Sequence, residues 1–253
     1  MLSTSDRLGK LIKFVFLLLI LGLIAVAVVP LNLYYEQIKN QVRPIGLSGI
    51  SGSAVKGSAD SLSYLSAPLG QAEWILYPNS LTGLGGKVRV YKPNYDLTFD
   101  LKKITPESQS FNQVIGYLDW QLIKPFLQMR YGQFEGYAQF NLQQVAYNKA
   151  NGFDRIEGSI TLQDFKLIRP ANKDLGEVRL DFETKKTGMI VGNFSSQSNA
   201  LNVSGALIIQ PHRWQLNLDI IPKAGNFELD AVLNSVGSAR SGGGRRLNLA
   251  GFY

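Results

Sequence analysis

Beyond the first third of the chain, apolar and polar residues alternate in short runs. Residues 87–90, 96–101, 138–142, 156–162, 178–183, 214–220 and 227–231 all follow this period of two. Successive side chains of a strand point to opposite faces, so this pattern predicts strands with one buried and one wetted face. Such strands belong to antiparallel sheets, since parallel strands buried on both faces read as continuous apolar runs. Turn residues separate the runs at Pro93-Asn94, Asn151-Gly152, Pro170-Ala171-Asn172 and Lys223-Ala224-Gly225-Asn226, and Gly83-Leu84-Gly85-Gly86 also reads as a hairpin turn. Between residues 108 and 129 the alternation is less clear. Phe111, Val114, Ile115, Leu118 and Leu122 fall at helical spacing, which predicts one short helix, and Pro125 is placed to open another turn. Residues 238–244 read as a flexible loop before a last strand at 247–252. The expected fold is mainly β, an antiparallel sheet with one or two short helices.

The N-terminus has a different character. Residues 14–29 are apolar without a break, and residues 11–29 would make about 28 Å of helix, close to the hydrocarbon thickness of a bilayer. Arg7, Lys10 and Lys13 precede the run, which keeps that end in the cytoplasm and carries the following chain across. Tyr34 and Tyr35 follow at interfacial depth. Ala25-Val26-Ala27 has the small-x-small form of a signal-peptide cleavage site, but the apolar run continues through Val28 and Val29, which favours a retained anchor. The organisation expected is a cytoplasmic tail at 1–10, a transmembrane helix at 11–33, a Gly/Ser-rich tether at 34–48 and a periplasmic β domain at 49–253. This describes a single-pass protein of the bacterial inner membrane.

Composition narrows the chemistry. The 253 residues include no cysteine, which removes disulfides, thiolate metal sites and cysteine nucleophiles. The net charge of +7 is spread without a dense basic run, unlike the concentrated basic surface of a nucleic-acid reader. His212 is the only histidine and sits in an apparent turn between Pro211 and Arg213, so it reads as an exposed loop residue. Residues 52–58 copy the glycine spacing of a phosphate-binding loop without its lysine. Asp96 with Asp100, and Asp181 with Glu183, share strand faces as a pair of glycosidase carboxylates would, but they alternate with core residues and read as the wetted side of a sheet. The expectation is a binding or scaffolding protein, not an enzyme, with no cofactor, no metal and no nucleic-acid partner.

One region is distinctive. A glycine-rich segment carrying Gly49, Gly52 and Gly57 leads into Leu69-Gly70, then Trp74, Leu76, Pro78 and Leu81. With the N-terminal anchor and the overall length, this resembles the type II secretion system protein N family, and residues 201–207 and 225–227 look like its C-terminal strands. The resemblance implies a bitopic accessory subunit of the machine that exports folded exoproteins. It also implies a curved, AsmA-like antiparallel sheet, either an open groove or sandwich-like, and no catalytic residues. Its partners would be other subunits of that system, in the inner-membrane platform or the outer-membrane secretin, together with the inner membrane itself. Read from the residues alone, Trp74 and Leu76 share a sheet face and suit a core, with Pro78 ending their strand.

Two other functions stay open on the sequence. A periplasmic lipid or lipopolysaccharide carrier would turn the apolar half of the alternation into a groove, which looks identical to a core in sequence. An outer-membrane barrel is suggested by the aromatic C-terminus Phe252-Tyr253, although the strands are short and charged for one.

Overall fold

The computed structural model describes residues 28–40, 43, 45–80, 83–105, 107–123, 132–170, 172–234 and 236–252. The predicted transmembrane run lies outside them except for its last few residues. Among the described residues no helix is long and apolar enough to cross a membrane. The chain divides into two compact units, residues 1–77 and 78–253.

In the first unit a 3-10 turn at Leu31–Leu33 and a single helical turn, α1 (Tyr35–Ile38), precede three antiparallel strands, β1 (Ile45–Gly52), β2 (Lys56–Tyr64) and β3 (Ala67–Ser80), the last three residues of β3 being assigned to the second unit. β1 begins inside the stretch read as a tether, 34–48. Tyr35 is buried, and its hydroxyl accepts a hydrogen bond from the Leu47 N–H at 2.8 Å, which ties α1 to β1.

The second unit runs through β4 (Gly83–Lys92), β5 (Tyr95–Ile104), β6 (Ser108–Asp119), α2 (Trp120–Ile123), β7 (Gln133–Asn148), β8 (Gly152–Arg169), β9 (Lys173–Lys186), β10 (Met189–Gln197), β11 (Leu201–Gln210) and β12 (Arg213–Pro222). It ends with α3 (Phe227–Leu233), the two-residue β13 (Ser238–Ala239) and β14 (Arg245–Phe252). From β4 to β12 the strands lie side by side in chain order, and β14 then sits between β12 and β13.

Register sorts the side chains by face. One cross-strand row reads Leu97, Gly116, Phe140, Ile160, Leu180, Phe194, Gly205, Leu218 and Leu247. The adjacent row on the opposite face reads Thr98, Ile115, Asn141, Ser159, Asp181, Asn193, Ala206, Asn217 and Asn248. A slip of one residue in any strand would exchange these two faces, so the alternation itself fixes the register.

The apolar face carries two clusters. One centres on Val114, Leu142, Val145, Ile156, Phe182, Ile190 and Ile209, with Phe99, Phe111, Phe140 and Phe153 half-buried beside it. The other joins Trp120, Phe134, Phe165, Leu167, Leu175, Leu201 and Val203 to Leu229, Val232 and Leu233 of α3.

Three local expectations are corrected. The helix expected from Phe111, Val114, Ile115, Leu118 and Leu122 is strand β6 as far as Asp119, with helix only at Trp120–Ile123. A β-bulge explains the misleading spacing. Asp100 pairs with Gln113 and Leu101 with Phe111, which leaves Asn112 as an extra residue and turns both Phe111 and Val114 to the apolar face. The second helical turn at Pro125 falls outside the described residues. Residues 227–231, read as a strand, form α3, because Leu229, Val232, Leu233 and Val236 are buried at helical spacing. The glycines from Gly83 to Gly86 lie inside β4 and not in a turn.

The two faces respond differently to truncation. Ile190 is fully buried, so Ile190→Ala is expected to lower the unfolding free energy by about 2–5 kcal/mol. Ile115 lies on the polar face at 39% exposure, and Ile115→Ala should change it by less than about 0.5 kcal/mol. Urea unfolding of the two variants beside the parent checks the assignment of faces.

Candidate functional site

The residues of the distinctive N-terminal motif build a structural lock. Gly52, with φ +84°, makes the turn between β1 and β2, where a Cβ would lie 2.4 Å from the Lys56 carbonyl oxygen. Gly57 leaves room for the Trp74 ring, since a Cβ there would meet its Cζ2 at 2.7 Å. The ring is buried, and its Nε1 donates to the Ser53 carbonyl oxygen at 3.1 Å. Gly49 lies in β1 facing Asp60, and Leu69 and Gly70 lie in β3. Leu76 is half-buried on the same side as Trp74 and Ala72, while Ile75 and Tyr77 are exposed. Pro78 does not end β3, which continues to Ser80. Its missing N–H is tolerated because the last β2–β3 pair is Lys56 with Ile75, three residues earlier. Leu81 falls outside the described residues.

The carboxylates weighed for catalysis sit on the polar face beside cations. Asp96 accepts from Arg89 Nε at 2.9 Å, Asp181 from Arg179 Nε at 2.8 Å and Glu183 from Lys185 Nζ at 2.6 Å. The Arg89 hydrogen bond holds the Asp96 carboxyl below its ordinary range, against the opposing effect of burial. Asp100 lies in β5 opposite Lys87. His212 is in the turn between β11 and β12 with φ +61°, as its place between Pro211 and Arg213 suggested.

An apolar concavity lies under α3. A cavity of about 210 Å³ is bounded on the sheet side by Leu162, Val178, Phe194, Val203, Leu218 and Leu247, and on the helix side by Leu229, Val232 and Leu233. Trp120, Phe134 and Phe165 also line it. Phe134 and Phe165 stack with centroids 5.4 Å apart, and Trp120 lies 4.8 Å from Phe165. Trp120 is 3% exposed, and its indole N–H has no acceptor among the described residues. An orphaned donor of this kind costs about 1–3 kcal/mol.

Polar contacts at the rim fasten α3. At its end, Arg245 donates from Nη2 to the carbonyl oxygens of Asn234 at 3.0 Å and Gly237 at 2.9 Å, and from Nε to that of Val236 at 2.9 Å. A cation here also suits the negative end of the helix dipole. At its start, Glu228 pairs with Lys173 Nζ of β9 at 3.3 Å. The Glu228 carboxyl is held below its ordinary range first by a backbone hydrogen bond and then by Lys173. Beside α3 is an open pocket of about 610 Å³, lined by Gly132, Gln133, Arg169, Pro170, Ala231 and Val232. Val232 thus belongs to both spaces. A broader polar cleft of about 950 Å³ includes Tyr117 and Tyr137, packed edge to face at 6.1 Å, with Asp119, Glu135, Asp164 and Lys166 around them.

Residues 43–248 match the family model described as type II secretion system protein N. The chain belongs to that family. The match spans both units, from the start of the motif hairpin into β14, and family membership implies contact with other subunits of the type II secretion system. No curated protein and no solved structure matches the chain. In this protein N chain, the family motif lies on the lock around Trp74, while the cavity depends on Trp120 and α3, which the alternation did not reveal. The one available signal was the helical spacing of Leu229, Val232, Leu233 and Val236.

The last strand is also held electrostatically. Asp219 of β12 accepts from Arg246 Nε at 2.7 Å and lies 3.3 Å from Arg240 Nε. The Arg246 hydrogen bond holds its carboxyl below the ordinary range, with Arg240 adding to the effect and burial opposing it. A carboxyl depressed in the folded state contributes stability that is complete above its unfolded pKa of about 4 and is lost as pH falls through the lower folded value. Asp219→Asn is therefore expected to lower the thermal midpoint at pH 7, and the difference from the parent should shrink as pH falls below about 4. Thermal unfolding across this range checks the sign.

Proposed function

We propose that the chain is an accessory scaffold subunit of the type II secretion system, held in the inner membrane by a transmembrane helix at 11–33 built on the apolar run 14–29. The β units then stand in the periplasm and support export of folded exoproteins across the outer membrane, without a chemical step of their own. The family match over residues 43–248 carries this reading. The basic residues before the apolar run support the orientation.

The sheet offers a means of contact. β1, with the sequence IGLSGISG, pairs with β2 on one side and carries no charged residue. The edge gives the Leu47 N–H to the Tyr35 hydroxyl, and beyond Leu47 an edge without charge or proline accepts a partner's strand readily. An edge on the subunit thus suits main-chain pairing with a neighbour in the secretion machine.

An in-frame deletion in the native host tests the role. Exoenzymes of the pathway should shift from the medium to the periplasm and return to the medium on complementation. Unchanged export in the deletion strain would sink the accessory role. For the edge, a photo-crosslinking residue in place of Ser48 should capture another subunit of the system. Capture at an exposed position away from the edge, such as Lys185, with none at Ser48, would move the contact elsewhere.

A further inference from the structure

The sheet of the second unit ends unevenly. β14 pairs with β12 along its whole length, but on its other side β13 meets only Arg245 and Arg246. Gly237 then passes close to the strand, where a Cβ would lie 2.1 Å from the Arg246 carbonyl oxygen and 3.1 Å from the Leu247 Cα. From Asn248 to Phe252 that side of β14 has no strand beside it among the described residues. The charged end of the edge is thus covered and the uncharged end is open. Residues 248–252 carry neither the charge nor the proline that normally blocks pairing with another chain.

The direction of the free main-chain groups follows from the covered end. The Gly244 carbonyl oxygen accepts from the Arg240 N–H at 3.2 Å, and that of Arg246 accepts from Ser238 Oγ at 3.4 Å, so both point away from β12. These groups alternate in direction along an antiparallel strand, and the β12–β14 register is unbroken. The N–H and C=O of Asn248, Ala250 and Phe252 therefore face the open side. The side chains there are exposed and apolar, Leu249 at 40% and Phe252 at 87%. Gly251 lies opposite Trp214, whose indole occupies the space a Cβ would need, 2.9 Å away.

This edge is complementary to itself. The open stretch is centred on Ala250, so antiparallel pairing about a two-fold axis at that residue uses all of it and stops short of Gly237. Ala250 then faces Ala250 of a second copy, and Asn248 faces the second copy's Phe252, in pairs whose free N–H and C=O groups meet. Between them Leu249 faces the second copy's Gly251, where the missing side chain lets it rest on the Trp214 ring. The two-fold makes this contact twice, which selects a second copy over a foreign strand and closes the assembly at two. No like charges meet, since Arg246 and Arg240 are held on Asp219 outside the paired stretch. We infer that the open edge of β14 is the interface of a homodimer, two copies of the chain joined strand to strand at Ala250.

The test uses the full-length chain. In host membranes, p-benzoylphenylalanine in place of Phe252 should give, on irradiation, a product of twice the chain's mass. Trypsin cuts after Arg246, and the linked species should join two peptides that both begin at Leu247, which only two chains can supply. In dodecyl maltoside, native mass spectrometry should find the parent as a dimer. Ala250→Lys and Ala250→Glu set like charges across the axis, so each variant alone should be a monomer and an equal mixture should restore the dimer. Ala250 is exposed, and both variants should keep the parent's thermal midpoint. Three results would overturn the interface: capture at 252 of another protein or of a different segment of the chain, a monomeric parent, or a dimer that survives Ala250→Lys.

Discussion

A sheet with one apolar face has to keep that face from water. In the second unit that constraint governs most of what is observed. Cross-strand rows from β5 to β14 collect the apolar residues on one side, and their register cannot change without exposing them. The cover for one end is α3, seven residues long and too short to be stable alone, held by its buried face and by Arg245 at its end. Where α3 lies over the sheet, the fit leaves the cavity. Away from α3, the same face continues as half-buried aromatics around Phe99, Phe111 and Phe153.

The polar face solves a different problem. Its carboxylates are answered by cations on the same or the neighbouring strand, as with Asp96 and Arg89 or Asp219 and Arg246. Exposed pairs of this kind contribute little each, roughly 0–1 kcal/mol. Their effect lies more in which strands can sit beside one another, because like charges in register would repel. The first unit relies on fit instead, with the Trp74 ring lying against a position that has no side chain.

Much of this architecture was legible in the chain. The alternation at 214–220 matched β12, and the runs at 156–162 and 178–183 fell within β8 and β9. The failures have specific causes. A bulge at Asn112 puts Phe111 and Val114 on one face at a spacing that a helix also produces, so β6 read as helical. At 227–231 the alternation of Phe227, Leu229 and Ala231 agreed with a strand, and the choice required the residues beyond, Val232, Leu233 and Val236. The cavity was not legible at all. It forms only when Trp120, from the middle of the chain, meets α3 from near its end, and no local pattern encodes that meeting. The motif around Trp74 was visible as spacing, but its reason, a ring filling the space above Gly57, needed coordinates.

That ring and that glycine have a consequence for how the sequence can vary. Neither position can drift alone: a side chain at 57 collides with the indole, and a smaller residue at 74 leaves a hole and strands the Ser53 carbonyl without its donor. The two behave as one inherited character, so lineages that abandon the tryptophan should also be those in which the glycine is released. Paired substitution at these sites would then mark a rebuilt hairpin, not gradual divergence.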